Sequence, residues 1–196
     1  MKRTLIVFAK FAQIGRVKTR LAKGLGHAAA LAFYRRTLEA TLAKTRGGPW
    51  QTVLCVSPDA ARRLVRVWPP RIRTQGQGRG DLGRRMARAL AAVAGPAAIV
   101  GGDIPELARS DIAAAFSALG AADIVVGPAA DGGYWLVGVR AGRFAAHLFD
   151  RVRWSSEFAL ADTLANAPRA RVAKLRTLAD IDTAADWRAW MRRAKS

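Results

Sequence analysis

Short apolar runs recur along this chain, each closed by glycine, proline or aspartate, with stretches between them long enough for a helix. The strongest are residues 4–9 (TLIVFA), 51–56 (QTVLCV), 97–100 (AAIV), 123–127 (DIVVG) and 134–139 (YWLVGV). Runs that are apolar throughout, not only at alternate positions, fit strands buried on both faces, as in a parallel sheet covered by helices. Weaker strands are expected at 71–75 and 171–176. Between them the pattern predicts helices over 28–46, 59–67, 82–94, 110–119 and 144–149, one ending near 164, and one at the C-terminus. The first carries a stripe of Leu31, Tyr34, Leu38 and Leu42 and stops at Gly47-Gly48-Pro49. This alternation predicts one domain over residues 1–196, an α/β/α three-layer sandwich with a mostly parallel sheet.

Composition narrows the function classes. The formal net charge is +19, which suits a nucleic acid, an acidic membrane or an anionic small substrate. The arginines are spread along the chain with no basic tail, and the tryptophans fall mostly at core positions instead of among basic residues, which disfavours nucleic acid. Cys55 is the single cysteine and sits in an apolar run, so a packing role in a reducing cytoplasm is expected. The apolar start is interrupted by Lys10, too short for a signal peptide or a membrane span. His27 and His147 stand far apart without partner ligands, which excludes a zinc site.

In open parallel sheets, ligands bind at the carboxyl ends of the strands. Asp103 follows the run at 97–100 and two glycines there, placed either to hold a divalent cation or to begin a turn. After the first strand, Lys10, Arg16, Lys18 and Arg20 surround Gly15, a phosphate cradle or a solvated basic loop. It is not a P-loop, because the glycine that should precede Lys18 is missing. Gly78, Gly80 and Gly83 match G-x-G-x-x-G but follow the third strand, not the first. They are better read, with Asp81, as a backbone-donating loop that leads into a helix N-terminus near a nucleotide, or as a long turn. Asp131, in Asp-Gly-Gly, is either a site carboxylate or part of a hairpin turn. Asp182 follows the last strand; Thr183 with Asp186 resembles a capping box, and Asp180 reads as turn. Trp187, Trp190 and Met191 form a helical stripe that reads as core. Together these pieces equip a metal–nucleotide site: Asp103 and Asp182 ligate Mg²⁺ or Mn²⁺, and Lys18 and Arg20 absorb charge on a leaving phosphate.

Six ordered segments, FAKFAQIGRVKTRL, QGRGDLGRRM, GGDIPEL, GPAADGGYWLVG, RWSSEF and DIDTAAD, carry a resemblance from Thr4 to about Trp187. The chain resembles a bacterial family assigned as glycosyltransferases of the GT-A (nucleotide-diphospho-sugar transferase) fold, some members of which are named for arsenosugar biosynthesis. The family is also similar to the molybdenum-cofactor and phospholactate guanylyltransferases. The resemblance implies that Asp103 occupies the metal position, that Asp182 matches a second metal aspartate, and that Lys18 and Arg20 lie at the phosphate-facing loop. Ala12, Ile14, Gly102 and Ile104 depart from the family's usual proline, proline, serine and cysteine, and the first two loosen the first loop. The expected activity is glycosyl transfer from a nucleotide sugar to a small acceptor, with Asp131 as general base if the reaction inverts and Glu157 as a weaker substitute. Nucleotidyl transfer from an NTP is the alternative, disfavoured by a first loop with one glycine. RNA binding by a basic domain without catalysis comes third.

Overall fold

β1 (Thr4–Lys10) is apolar on both faces. Leu5, Val7 and Ala9 enter one core layer and Ile6 and Phe8 the other, the two-residue alternation of a strand between two layers of helices. The computed structural model describes residues 2–64, 68 and 72–193. The remaining strands are β2 (Gln51–Ser57), β3 (Arg73–Gly76), β4 (Ala97–Gly101), β5 (Ile124–Pro128), β6 (Tyr134–Val139) and β7 (Val172–Lys174). The helices are α1 (Thr19–Leu25), α2 (His27–Lys44), α3 (Leu82–Ala91), α4 (Arg109–Ala118), α5 (Ala159–Ala165) and α6 (Ala184–Arg193).

The seven strands form one sheet of order β3-β2-β1-β4-β6-β5-β7. All pairings are parallel except those of β6, which runs antiparallel between β4 and β5. The mostly parallel α/β/α sandwich expected from the apolar runs is therefore the fold. Tyr34, Leu38 and Leu42 of α2 and Ile112 and Phe116 of α4 fill one layer. Met86 and Leu90 of α3, with Leu160 and Leu164 of α5 at its edge, fill the other. Cys55 is fully buried and its Sγ accepts from Gln75. Among the described residues no helix is long and apolar enough to cross a membrane.

Local differences from the sequence expectation have local causes. The first connection contains its own helix, α1, preceded by Lys18 in the left-handed region (φ 45°) and separated from α2 by Gly26 at φ 82°. Residues Asp59–Arg63 and Gly142–Ala145 make short 3₁₀ turns where longer helices were expected. Residues 65–67 of the former helix, and Arg71 at the start of the third strand, lie outside the described residues. The capping box at α6 is present: the Asp186 N–H donates to Thr183 Oγ1 at 3.2 Å, and the Thr183 N–H donates to Asp186 Oδ2 at 2.8 Å. Trp187 packs with Leu21 and Ala22 of α1, and Trp190 meets Phe33 edge-on at 6.0 Å. A Cβ on Gly24 would lie 2.5 Å from the Ala184 Cβ, so glycine is what lets α1 and α6 approach. That approach brings the beginnings of the two helices, residues 18 and 182, to the same place.

Candidate functional site

Three connections end together at the carboxyl edge of the sheet: β1 to α1, β4 to α4, and the segment before α6. Lys18 is the meeting point. Its Nζ lies 2.8 Å from Asp103 Oδ2, 3.1 Å from Asp180 Oδ1 and 2.9 Å from Asp182 Oδ1. The lysine side chain is 4% exposed, whereas the carboxylates are about one-third open to solvent. Burial opposes the lysine charge, but the three aspartates outweigh it and hold the ammonium firmly protonated. Asp180 is pushed up to about 6, first by burial and then by the Asp103 charge, against the pull of Lys18. Arg20 reaches Asp182 Oδ2 at 3.4 Å from a largely exposed position. Tyr34, buried, ties α2 to the end of β1: its hydroxyl donates to the Lys10 carbonyl and accepts from the Lys10 N–H.

Lys18, Arg20, Asp103 and Asp182 thus come together, and Asp180, read from the sequence as turn, joins them. Asp131 sits in the tight β5–β6 turn, where its Oδ1 accepts from the Gly133 N–H at 3.0 Å. With Asp103 and Asp180 it lines a cavity of about 250 Å³. Lys10, at the end of β1, and Gly15, on the first loop, are exposed. The glycine loop before α3 is held by several contacts of its own. The Gly78 N–H donates to Asp59, and Asp81 caps α3 by accepting from the Arg84 N–H at 2.8 Å. A Cβ on Gly83 would fall 2.8 Å from the Phe149 Cβ and 3.0 Å from the Trp154 ring, so this glycine is where a wall packs against α3. Gln77, which no motif flagged, pins the loop: buried, it donates to the carbonyls of Ala9 and Cys55 and accepts from Arg85. Glu157 is exposed, and its backbone crowds Gly132. Gly102, where the resembling family carries serine, faces Leu38, whose Cδ1 would lie 2.8 Å from an added Cβ.

The donor set at Lys18 is three carboxylates around one positive charge, the hard oxygen ligands that Mg²⁺ or Mn²⁺ takes. As they stand, the described residues hold no group of three or more His, Cys, Asp or Glu side chains set to bind a metal ion. The ammonium fills the point on which the aspartates converge, so Asp103, Asp180 and Asp182 could hold a divalent cation as Lys18 moves aside.

Residues 38–156 match the family described as "Uncharacterized protein conserved in bacteria (DUF2064)". No curated protein matches the chain by sequence. Among solved structures, it is similar to a protein of Desulfovibrio desulfuricans G20 provisionally named a nucleotide-diphospho-sugar transferase. That likeness has 27% identity and a TM-score of 0.91, and covers 100% of this chain and 89% of the other. The fold is shared with the inositol-1-phosphate CTP transferase of T. maritima, at 16% identity, TM-score 0.62, and coverage of 99% and 96%. It is shared too with a Mycobacterium tuberculosis H37Rv protein solved as a manganese complex, at 20% identity, TM-score 0.57, and coverage of 98% and 99%.

Proposed function

The chain belongs to the DUF2064 family, and from that starting point we propose that it is a metal-dependent transferase using a nucleotide-activated donor, specifically a glycosyltransferase acting from a nucleotide sugar on a small acceptor. The observation that carries this reading is the convergence of Asp103, Asp180 and Asp182 on one cation position at the carboxyl edge of the sheet. The likeness to the Desulfovibrio protein supports the donor class.

Asp103, Asp180 and Asp182 would hold Mg²⁺ or Mn²⁺, which would supply positive charge against the leaving nucleoside diphosphate. Asp103 and Asp182 anchor that charge, and Asp180 adds a third oxygen donor. Lys18 and Arg20 lie at the same point and offer charge-assisted donors to the diphosphate as negative charge develops on it. Lys10, Gly15, Gly78, Gly80, Asp81 and Gly83 frame the adjoining loops toward the nucleotide. Asp131, on the cavity wall, takes the proton of the acceptor hydroxyl as its oxygen bonds to the anomeric carbon and the sugar–phosphate bond breaks. Cys55, a lone buried thiol, suits a cytoplasmic setting.

Nucleotidyl transfer to a phosphorylated small molecule is the second reading, supported by the fold shared with the CTP transferase. Melting temperatures measured with nucleotide sugars, NTPs and RNA, each with and without MnCl₂, test both. Manganese-dependent stabilisation by a nucleotide sugar is expected. The same response to an NTP alone shifts the assignment to nucleotidyl transfer, and salt-sensitive RNA binding without metal removes the enzyme reading.

A further inference from the structure

Lysine and arginine are 33 of the chain's 196 residues. Yet among the described residues that line the cavity beside the aspartates there is neither. Phe8, Ile99 and Val137 face it from β1, β4 and β6, and Leu82 and Met86 from α3. Tyr134 and Trp154 add two aromatic rings to the lining, edge-on at 6.4 Å. Ser155 stands in the same wall with φ 59°, a backbone state that a serine keeps only where its surroundings fix it. The charged groups of the lining are Asp103, Asp131 and Asp180, and two of these belong to the Lys18 cluster, so the cavity and the cluster are continuous.

We propose that this cavity receives the acceptor, and that the acceptor is an uncharged hydroxyl compound with an apolar body of about one ring and a short arm. The inference rests on the transferase reading above and names the substrate class for its second half. A phosphorylated acceptor would enter a lining of carboxylates and hydrocarbon with no cation of its own to meet it. Lys18 is already shared among three aspartates, and a divalent ion there would be matched by the donor's phosphates. A sugar ring is matched less well, because Asp103, Asp131, Asp180, Ser155 and Ser156 offer partners on part of the wall while Leu82, Met86, Ile99 and Val137 would face its other hydroxyls with none. A compact apolar body is covered by Met86, Tyr134 and Trp154, and its hydroxyl lies toward Asp131.

Saturation-transfer NMR on the full chain with MnCl₂ tests this using benzyl alcohol, benzyl phosphate and methyl β-D-glucoside as probes. Benzyl alcohol is expected to bind at least tenfold more tightly than the other two. Leu82, half-open at the cavity rim, gives the paired variants. Leu82→Arg is expected to raise affinity for benzyl phosphate severalfold, whereas Leu82→Glu leaves it undetectable; melting curves verify that both fold. A preference for benzyl phosphate or the glucoside, no probe binding, or an equal response of the two variants overturns the inference. Donor binding is read separately, from manganese-dependent stabilisation by nucleotides. If benzyl alcohol is preferred but no nucleotide binds, the transferase reading fails while the ligand class of the cavity stands. If nucleotides bind and benzyl phosphate is preferred, the acceptor class falls and nucleotidyl transfer takes over.

Discussion

Asp103, on the connection after β4, and Asp111, in the first turn of α4, are eight residues apart, and their surroundings are opposite. Asp111 is matched one to one: Arg176 donates Nε to Oδ1 at 2.6 Å and Nη2 to Oδ2 at 2.7 Å, and the Ala108 N–H adds a third bond at 2.7 Å. Burial alone would push the Asp111 carboxyl up, but these donors and the charges of Arg176 and Lys44 carry it below the usual carboxylate range. Asp123 is balanced in the same way by Arg171 and Arg140. Asp103, by contrast, shares one buried ammonium with Asp180 and Asp182. A saturated pair has nothing left to offer a ligand. A surplus of carboxylate at a cleft is chemistry waiting for a further cation, which is why we propose a structural role for Asp111 and a functional one for Asp103.

The largest test of that contrast is binding. Asp103→Asn keeps the shape and removes one charge from the surplus, so metal-dependent nucleotide affinity is expected to fall about 100-fold or more. Its melting temperature should hold or rise, because one of three competing carboxylates is gone. Calorimetric titration of nucleotide sugar in MnCl₂ reads the first effect and thermal melting the second. Asp111→Asn should do the reverse, leaving nucleotide affinity unchanged while losing about 2 kcal/mol in urea denaturation as the two-pronged Arg176 contact breaks. A loss of affinity in the Asp111 variant, or unfolding of the Asp103 variant, would erase the distinction between the two sites.

Much of this contrast was written in the sequence, and some of it could not be. The strands announced themselves because each is apolar on both faces, so β1, β2, β4, β5 and β6 fall where the runs are. Asp103 was visible because two glycines and a proline frame it, and the cap of α6 because Thr183 and Asp186 have the right spacing. Asp180 reads as turn in the sequence because its partners, Lys18 and Asp103, are distant along the chain and only the packing of α1 on α6 brings them near. Helix α1 gives no clear sequence signal for a related reason: Lys18, which precedes it, adopts a left-handed backbone that its residue type does not signal. The glycine loop before α3 shows how a spacing can serve structure as well. Glycines that match a phosphate-binding spacing here carry a cap, an Asp59 contact and a tight wall. The cavity was invisible because its lining comes from six separate segments, whose aliphatic and aromatic residues read as ordinary core.

A smaller effect separates the two kinds of site from the cation side. Lys18→Met strands three carboxylates around an empty centre, and partial exposure of those aspartates limits the cost to about 1–2 kcal/mol. Millimolar MnCl₂ should then raise the melting temperature of this variant more than that of the wild type, because the ion no longer competes with the ammonium. An equal response to manganese in both proteins would mean that the ammonium and the ion do not share a place.

The mildest effect concerns acid, and it belongs to the balanced class. Asp162 accepts Arg153 Nε at 2.9 Å, Nη2 at 2.8 Å and the Arg153 N–H at 3.0 Å, which tie α5 to the wall that carries Trp154. The side-chain bonds to Arg153, helped by its backbone N–H, hold the Asp162 carboxyl down at about 2. A folded-state value below that of the unfolded chain, about 3.9, means the pair contributes fully above that pH and loses its contribution as pH falls toward 2. Asp162→Asn should therefore lower the melting temperature modestly near neutrality and flatten its fall between about pH 4 and pH 2, because the variant has already lost the contribution that acid removes from the wild type. The same variant loosens the wall around Trp154, so benzyl alcohol binding at pH 7 should weaken by no more than a few-fold. An unchanged acid slope would show that the Arg153–Asp162 pair is not holding that wall, and that the cavity keeps its shape through Gly83 and Phe149 instead.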